Sequence, residues 1–144
     1  MLNRLTELEK TARQLEPDSG TRDRWNRSVQ RYADDFLNAI EVLKAYEDRE
    51  ERGRGILELD IPEEGRAIEY ILERYRVPVD RTGINPASGG HLGYVPGGGL
   101  FPTALGDYLA AVTNRYSGIF FANPGAVRIE NQLIRWMCGM VGYP

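Results

Sequence analysis

A single histidine, His91, a single cysteine, Cys138, and two lysines, Lys10 and Lys44, are the only imidazole, thiol and side-chain amine nucleophiles in this chain of 144 residues. A Ser-His-Asp or Cys-His machine would depend entirely on His91. It follows Ser88-Gly89-Gly90, which is turn chemistry, so it reads as a structural or solvent-facing loop histidine. Cys138 has no second cysteine for a disulfide and no ligand set for a metal; it reads as a small buried packing residue. Gly97-Gly98-Gly99 could offer backbone N–H groups to an anion at the start of the next helix. However, a P-loop needs Gly-Lys-Ser/Thr after the glycines and the dinucleotide fingerprint needs a preceding strand, and neither is present. The glycines are better read as a loop whose backbone can closely approach another surface. Asp107 stands alone in apolar surroundings and reads as a cap or an arginine partner rather than an acid–base group.

The elements that must carry these residues fall into two parts. Residues 1–80 hold 14 of the 18 basic and 19 of the 21 acidic side chains; residues 81–144 hold 12 of the 16 glycines. The first part reads as a solvated, three-helix N-terminal region. The second reads as a glycine-rich loop followed by two apolar helices that need cover, as core or interface.

Leu2, Leu5, Leu8, Ala12 and Leu15 recur at helical spacing, and Glu16-Pro17 stops that helix. Asp18-Ser19-Gly20-Thr21 supplies the next N-cap. Trp25, Val29, Tyr32, Phe36, Ile40, Leu43 and Tyr46 then predict one long helix, ended by the charge run Glu47 to Arg52. Pro62, with Glu63 and Glu64 at the positive end of a helix dipole, predicts a third helix over roughly 62–75. Residues 77–90 read as a loop. Pro102 begins a helix apolar around most of its circumference, so burial on several sides is expected. Asn123-Pro124 is a cap followed by a first-turn proline; Ile129, Leu133, Trp136, Met137 and Met140 form one face of the last helix. Gly142-Tyr143-Pro144 marks its exit.

Composition excludes several classes. Net charge is −3 with both signs interspersed, which gives no electrostatic footprint for nucleic acid. No apolar run reaches about 18 residues and no charged-then-apolar leader is visible, so the expectation is a cytoplasmic chain without a membrane span or metal centre.

Tyr94-x-Pro96, then Pro102-Thr103-Ala104-Leu105-Gly106-Asp107-Tyr108-Leu109, then Asn123-Pro124-Gly125-Ala126 with Glu130 and Trp136, form an ordered series. The series resembles the N-terminal part of group II pyridoxal-phosphate-dependent amino-acid decarboxylases, the relatives of aromatic-L-amino-acid and glutamate decarboxylases. The family pattern reads Tyr-Phe-Pro-Thr, a Pro followed by Leu and Asp, then Ser-Pro-Ala, a Glu and a Trp. It runs without a gap from Tyr94 to Pro144 and is only architectural over the helices before.

The resemblance implies a mainly α chain that forms the N-terminal helical segment of an α/β, fold-type I lyase. It maps the substrate-bordering loop onto Tyr94, Val95, Pro96 and Gly97. It maps the residues lent to the neighbouring subunit's pocket onto Tyr116, Gly118 and Phe120. Val95 stands where the family has an aromatic and Gly97 where it has a side chain that reaches substrate, so the amino-acid substrate is expected to differ from an aromatic one. At Gly118 the family's aromatic is also missing. The family's His-Pro histidine falls at Ala87, leaving His91 without an inherited role.

The resemblance implies pyridoxal 5′-phosphate in the complete enzyme, which needs a lysine amine. Lys10 and Lys44 lack the flanking histidine and small residues that the family places there, so no catalytic or cofactor-binding residue is assigned to this chain. The family's cofactor-binding large domain would begin just after Pro144. The expectation is therefore one portion of a homodimeric decarboxylase, inactive alone, with Leu109, Val112, Tyr116 and Phe120 near a subunit or large-domain contact. The alternative from another class is a non-catalytic helical interaction module that binds a partner protein.

Overall fold

The computed structural model describes residues 2–94 and 97–144. The chain is mainly α and divides into two compact units, Met1–Gly98 and Gly99–Pro144.

In the first unit, α1 (Leu2–Ala12) continues into a 3₁₀ turn, Arg13–Leu15, and ends where Glu16 turns extended before Pro17. Helix α2 (Ser19–Ala39) starts at Asp18, whose Oδ1 accepts the Thr21 N–H at 2.7 Å. The cap holds the Asp18 carboxyl below its ordinary range, chiefly through that backbone N–H. The expected extension of this helix to Tyr46 is not realised. The segment 83–88 takes the chain out of helix: Ser88 Oγ donates to Leu43 O at 2.7 Å and Asn85 N–H to Ala45 O at 2.9 Å. Tyr46–Glu47 (β1) then pairs antiparallel with Gly83–Ile84 (β2), in the register Tyr46 to Ile84 and Glu47 to Gly83. This short pair is the only sheet among the described residues.

The charge run after β1 is bent rather than helical. Arg52 bridges Asp48 at 2.9 Å, lowering the Asp48 pKa, and Gly53 adopts φ +79°, which glycine takes without a Cβ clash, before the one-turn α3 (Arg54–Leu57). The helix expected over 62–75 starts later, as α4 (Ile68–Tyr75). Pro62, Glu63 and Glu64 precede it, and Ala67 is extended at its N-cap (ψ 143°). Helix α4 packs against α2 and runs into a π turn, Arg76–Asp80, closed by Arg81 N–H to Arg76 O at 3.0 Å. Pro78, which has no N–H to donate, sits within that widened turn.

In the second unit, α5 (Phe101–Thr113) carries Pro102 in its first turn and stops at Asn114, which is left-handed at φ 43°. Helix α6 (Pro124–Met140) begins as expected, with Asn123 Oδ1 accepting the Ala126 N–H at 3.2 Å. It ends in a Schellman motif: Gly142 is at φ 69°, Tyr143 N–H bonds Cys138 O at 2.9 Å, and Gly142 N–H bonds Gly139 O. Ile119, Phe120 and Phe121 lie in the bend and turn that precede it.

Among the described residues no hydrophobic side chain is buried, and Ser88 is the one buried polar residue. Within the second unit α5 and α6 have no extensive packing on one another among the described residues, so the cover that the apolar circumference of α5 calls for is not supplied inside this unit. Cys138 is likewise only half-buried, not a core packing residue.

Candidate functional site

The loop expected to border substrate belongs to the first unit and grows out of a tied turn. Asn85 Oδ1 accepts the Ala87 N–H at 3.0 Å, Ser88 Oγ accepts the Gly90 N–H at 3.2 Å, and His91 N–H bonds Ser88 O. Ser88 therefore anchors the loop in both directions, through its hydroxyl to Leu43 O and through its oxygens to the turn itself. The His91 ring is half-buried and stacks on Tyr94, with centroids 6.2 Å apart and planes 25° apart. Its Nε2 has no hydrogen-bond partner among the described residues. Tyr94 takes a left-handed φ of 61° and is 87% exposed, so the backbone turns the phenol outward from the turn. Gly97 has open space where a Cβ would stand. Val95 and Pro96, the other two residues mapped to the substrate loop, lie outside the described residues.

Tyr116, Gly118 and Phe120 share the connection between α5 and α6 in the second unit. The Tyr116 ring folds over Gly118: a Cβ there would meet the phenol oxygen and, at 2.6 Å, Cζ. Gly118 is thus the residue that lets this ring lie against the backbone. Phe120 is flanked by the Arg128 guanidinium, 5.4 Å from the ring centroid, which anchors the loop to the first turns of α6. Asp107 is exposed on α5.

A polar cluster that the sequence reading did not single out lies between α2, α4 and the π turn. Tyr32 donates to Asp80 Oδ2 at 2.8 Å, meets Tyr75 edge-on at 6.1 Å, and lies beneath the Arg76 guanidinium at 4.6 Å. Burial first, and then the Asp80 carboxylate, push the Tyr32 phenol well above its ordinary pKa. Ser28 donates to Glu69 Oε1 at 2.7 Å and lowers the Glu69 pKa. Signals for this cluster were available: Tyr32 lies on the apolar face of a helix, and a phenol there needs an acceptor. Beside it, a cleft of about 680 Å³ is lined by Arg49, Glu51, Gly55, Glu73, Arg74 and Pro78. Its charges are largely engaged: Arg49 pairs with Glu47 at 2.7 Å, Glu51 accepts from the Gly53 and Gly55 N–H groups, and Glu73 pairs with Arg76 at 3.5 Å.

The side chains do not fit pyridoxal phosphate. Lys10 is an exposed residue of α1 bonded to Glu7 at 2.8 Å, and Lys44 is exposed beside Glu47 and Arg49 in a shallow depression. Neither amine is desolvated or set against a ring-stacking group, the conditions that would ready it for aldimine formation. Among the described residues no three His, Cys, Asp or Glu side chains gather as a metal site, and no helix is long and apolar enough to cross a membrane. In comparisons with protein-family models, curated proteins and solved structures, nothing matches this chain.

Proposed function

We propose that this chain is the N-terminal segment of a cytoplasmic, homodimeric pyridoxal-phosphate-dependent amino-acid decarboxylase, a carboxy-lyase of fold type I. In this reading it supplies pocket wall and subunit surface, and the rest of the polypeptide supplies the cofactor lysine. The supporting observation is the uncovered apolar surface of the charge-poor second unit: Leu105, Leu109 and Val112 on α5, and Leu133 and Trp136 on α6, are all exposed. Such faces require a partner body, and the ordered series from Tyr94 to Trp136 resembles the segment that packs in that way. Tyr94, Val95, Pro96 and Gly97 border the substrate, while Tyr116, Gly118 and Phe120 are lent to the neighbouring subunit. Gly97 leaves open space where the resembling family has a side chain that reaches substrate, and Val95 stands for an aromatic, so the substrate is an amino acid with a different side chain from the aromatic ones.

A second reading, a non-catalytic helical interaction module, draws support from the poor fit of Lys10 and Lys44 to the cofactor. Sequencing the reading frame past the codon for Pro144 separates the two. A glycine-rich Ser/Thr loop and a later His-Lys element are expected; a stop codon, or a following domain without that lysine, overturns the decarboxylase reading. If the elements are there, the complete enzyme should release carbon dioxide from an amino acid, and Gly97→Val should change which one at an unchanged melting temperature.

A further inference from the structure

We infer that His91 is the positioning residue for Tyr94, its imidazole face being the platform that holds the Tyr94 ring where the substrate loop opens. The inference rests on the decarboxylase reading, which puts Tyr94 at the substrate, and goes beyond it, because the resemblance leaves His91 without a role. Among the described residues one ring contact orients the Tyr94 side chain: the His91 imidazole, with centroids 6.2 Å apart and planes 25° apart, an offset stack within the range of aromatic pairs. The phenol is otherwise 87% exposed, and the backbone beneath it sits at φ 61°, a left-handed conformation that a residue with a Cβ keeps only where its surroundings impose it. Gly93, between the two rings in sequence, has open space around the position of a Cβ and adds no wall of its own.

The platform itself is fixed. Ser88 is buried and donates to Leu43 O at 2.7 Å, and the His91 N–H donates to Ser88 O at 3.0 Å, so the imidazole stands one hydrogen bond from a buried anchor. A Cβ on Gly90 would stand 3.6 Å from the Ala45 Cβ, which seats the turn closely on that segment. The ring contributes its face and not the bonding of its far nitrogen, for Nε2 is buried and has no hydrogen-bond partner among the described residues. A buried polar atom without a partner destabilises, so that atom does not hold the ring in place. A phenyl ring, equally flat and without the nitrogen, should therefore serve as the same platform. That expectation separates positioning from an acid–base or hydrogen-bonding role, in which phenylalanine could not substitute.

The test has two arms. In the 144-residue chain with ring-labelled tyrosine, the Tyr94 resonances are those lost in Tyr94→Phe. His91→Ala should move them by removing the neighbouring ring current, and His91→Phe should keep them displaced from the free-tyrosine position; resonances unmoved by His91→Ala overturn the stack. In the complete enzyme, His91→Ala should raise KM about two- to tenfold, as the loss of one aromatic pair implies, with kcat within about twofold, and His91→Phe should restore KM. If His91 acts through Tyr94, His91→Ala in a Tyr94→Ala background should raise KM no further. An unchanged KM, a fall in kcat alone, no restoration by His91→Phe, or an undiminished effect in the Tyr94→Ala background overturns the proposal and leaves the decarboxylase reading standing. A parent enzyme that releases no carbon dioxide from any amino acid overturns that reading, and the substrate role of both residues with it.

Discussion

Replacing Tyr32 with Phe removes one oxygen and leaves the ring in place. That oxygen donates to Asp80 at 2.8 Å in a part-buried cluster, while the ring keeps its edge-on contact with Tyr75 and its place beneath Arg76. A hydrogen bond to a charged acceptor contributes about 1.5–3 kcal/mol when shielded; water reaches this cluster and recovers part of it, so the expected loss is about 1–1.5 kcal/mol. Tyr32→Ala also forfeits the aromatic pair and the cation–π contact, about 0.5–1.5 and 0.5–1 kcal/mol, and should cost about 2–4 kcal/mol in all. Urea unfolding in a Trp136→Phe background, where Trp25 on α2 is the sole indole, reports on the first unit alone. The pH dependence supplies a second reading. Since the folded chain holds the Tyr32 proton more tightly than the unfolded chain, its contribution is complete below the unfolded phenol pKa, near 10. It is lost as pH rises above that value toward the folded pKa. The Phe variant should therefore lose less stability than the parent between neutral pH and the alkaline range. An unchanged urea midpoint at pH 7, or an alkaline slope identical to the parent's, would refute the role given to this hydroxyl.

Asn123→Ala should weaken the start of α6 by about 1 kcal/mol, seen as reduced helicity and an earlier far-UV melt, while Asn123→Asp should preserve the cap. The depressed Asp18 pKa means that its contribution is present above the unfolded value near 3.9 and is lost as pH falls through the folded one. A carboxyl NMR titration of Thr21→Pro, which removes the capping N–H, should move the Asp18 midpoint back up toward the ordinary range. Gly118→Ala must displace the Tyr116 ring from the backbone; unchanged Tyr116 ring resonances would show that the ring does not lie there.

Local chemistry made the starts of α2 and α6 legible, and distant contacts made the end of α2 illegible. Asp18 before α2 and Asn123-Pro124 before α6 each act within three residues, so their side chains and the N–H groups they satisfy are read together. The end of α2 is different. Leu43 and Tyr46 continue the apolar spacing of Trp25, Val29, Tyr32 and Phe36, yet the carbonyls of Leu43 and Ala45 are claimed by Ser88 and Asn85, some forty residues away. Helical periodicity cannot register a competitor that arrives from so far along the chain. The late start of α4 has a nearer cause, for Gly65 and the extended Ala67 separate Pro62 from the helix it was expected to open.

Glycine density pointed to the loop at Tyr94 and Gly97, but the Tyr32–Asp80 bond spans 48 residues and leaves no mark in local spacing. The uncovered faces follow the same logic one level up. Leu5-Leu8-Ala12-Leu15 on α1 and Ile129-Leu133-Trp136-Met140 on α6 are both seams of alternating threes and fours, equally plain as sequence. Among the described residues neither face is extensively covered by another helix of this chain. Periodicity marks a face as apolar because three- and four-residue spacing puts the side chains on one side of a helix, but it carries no information on the surface that meets them.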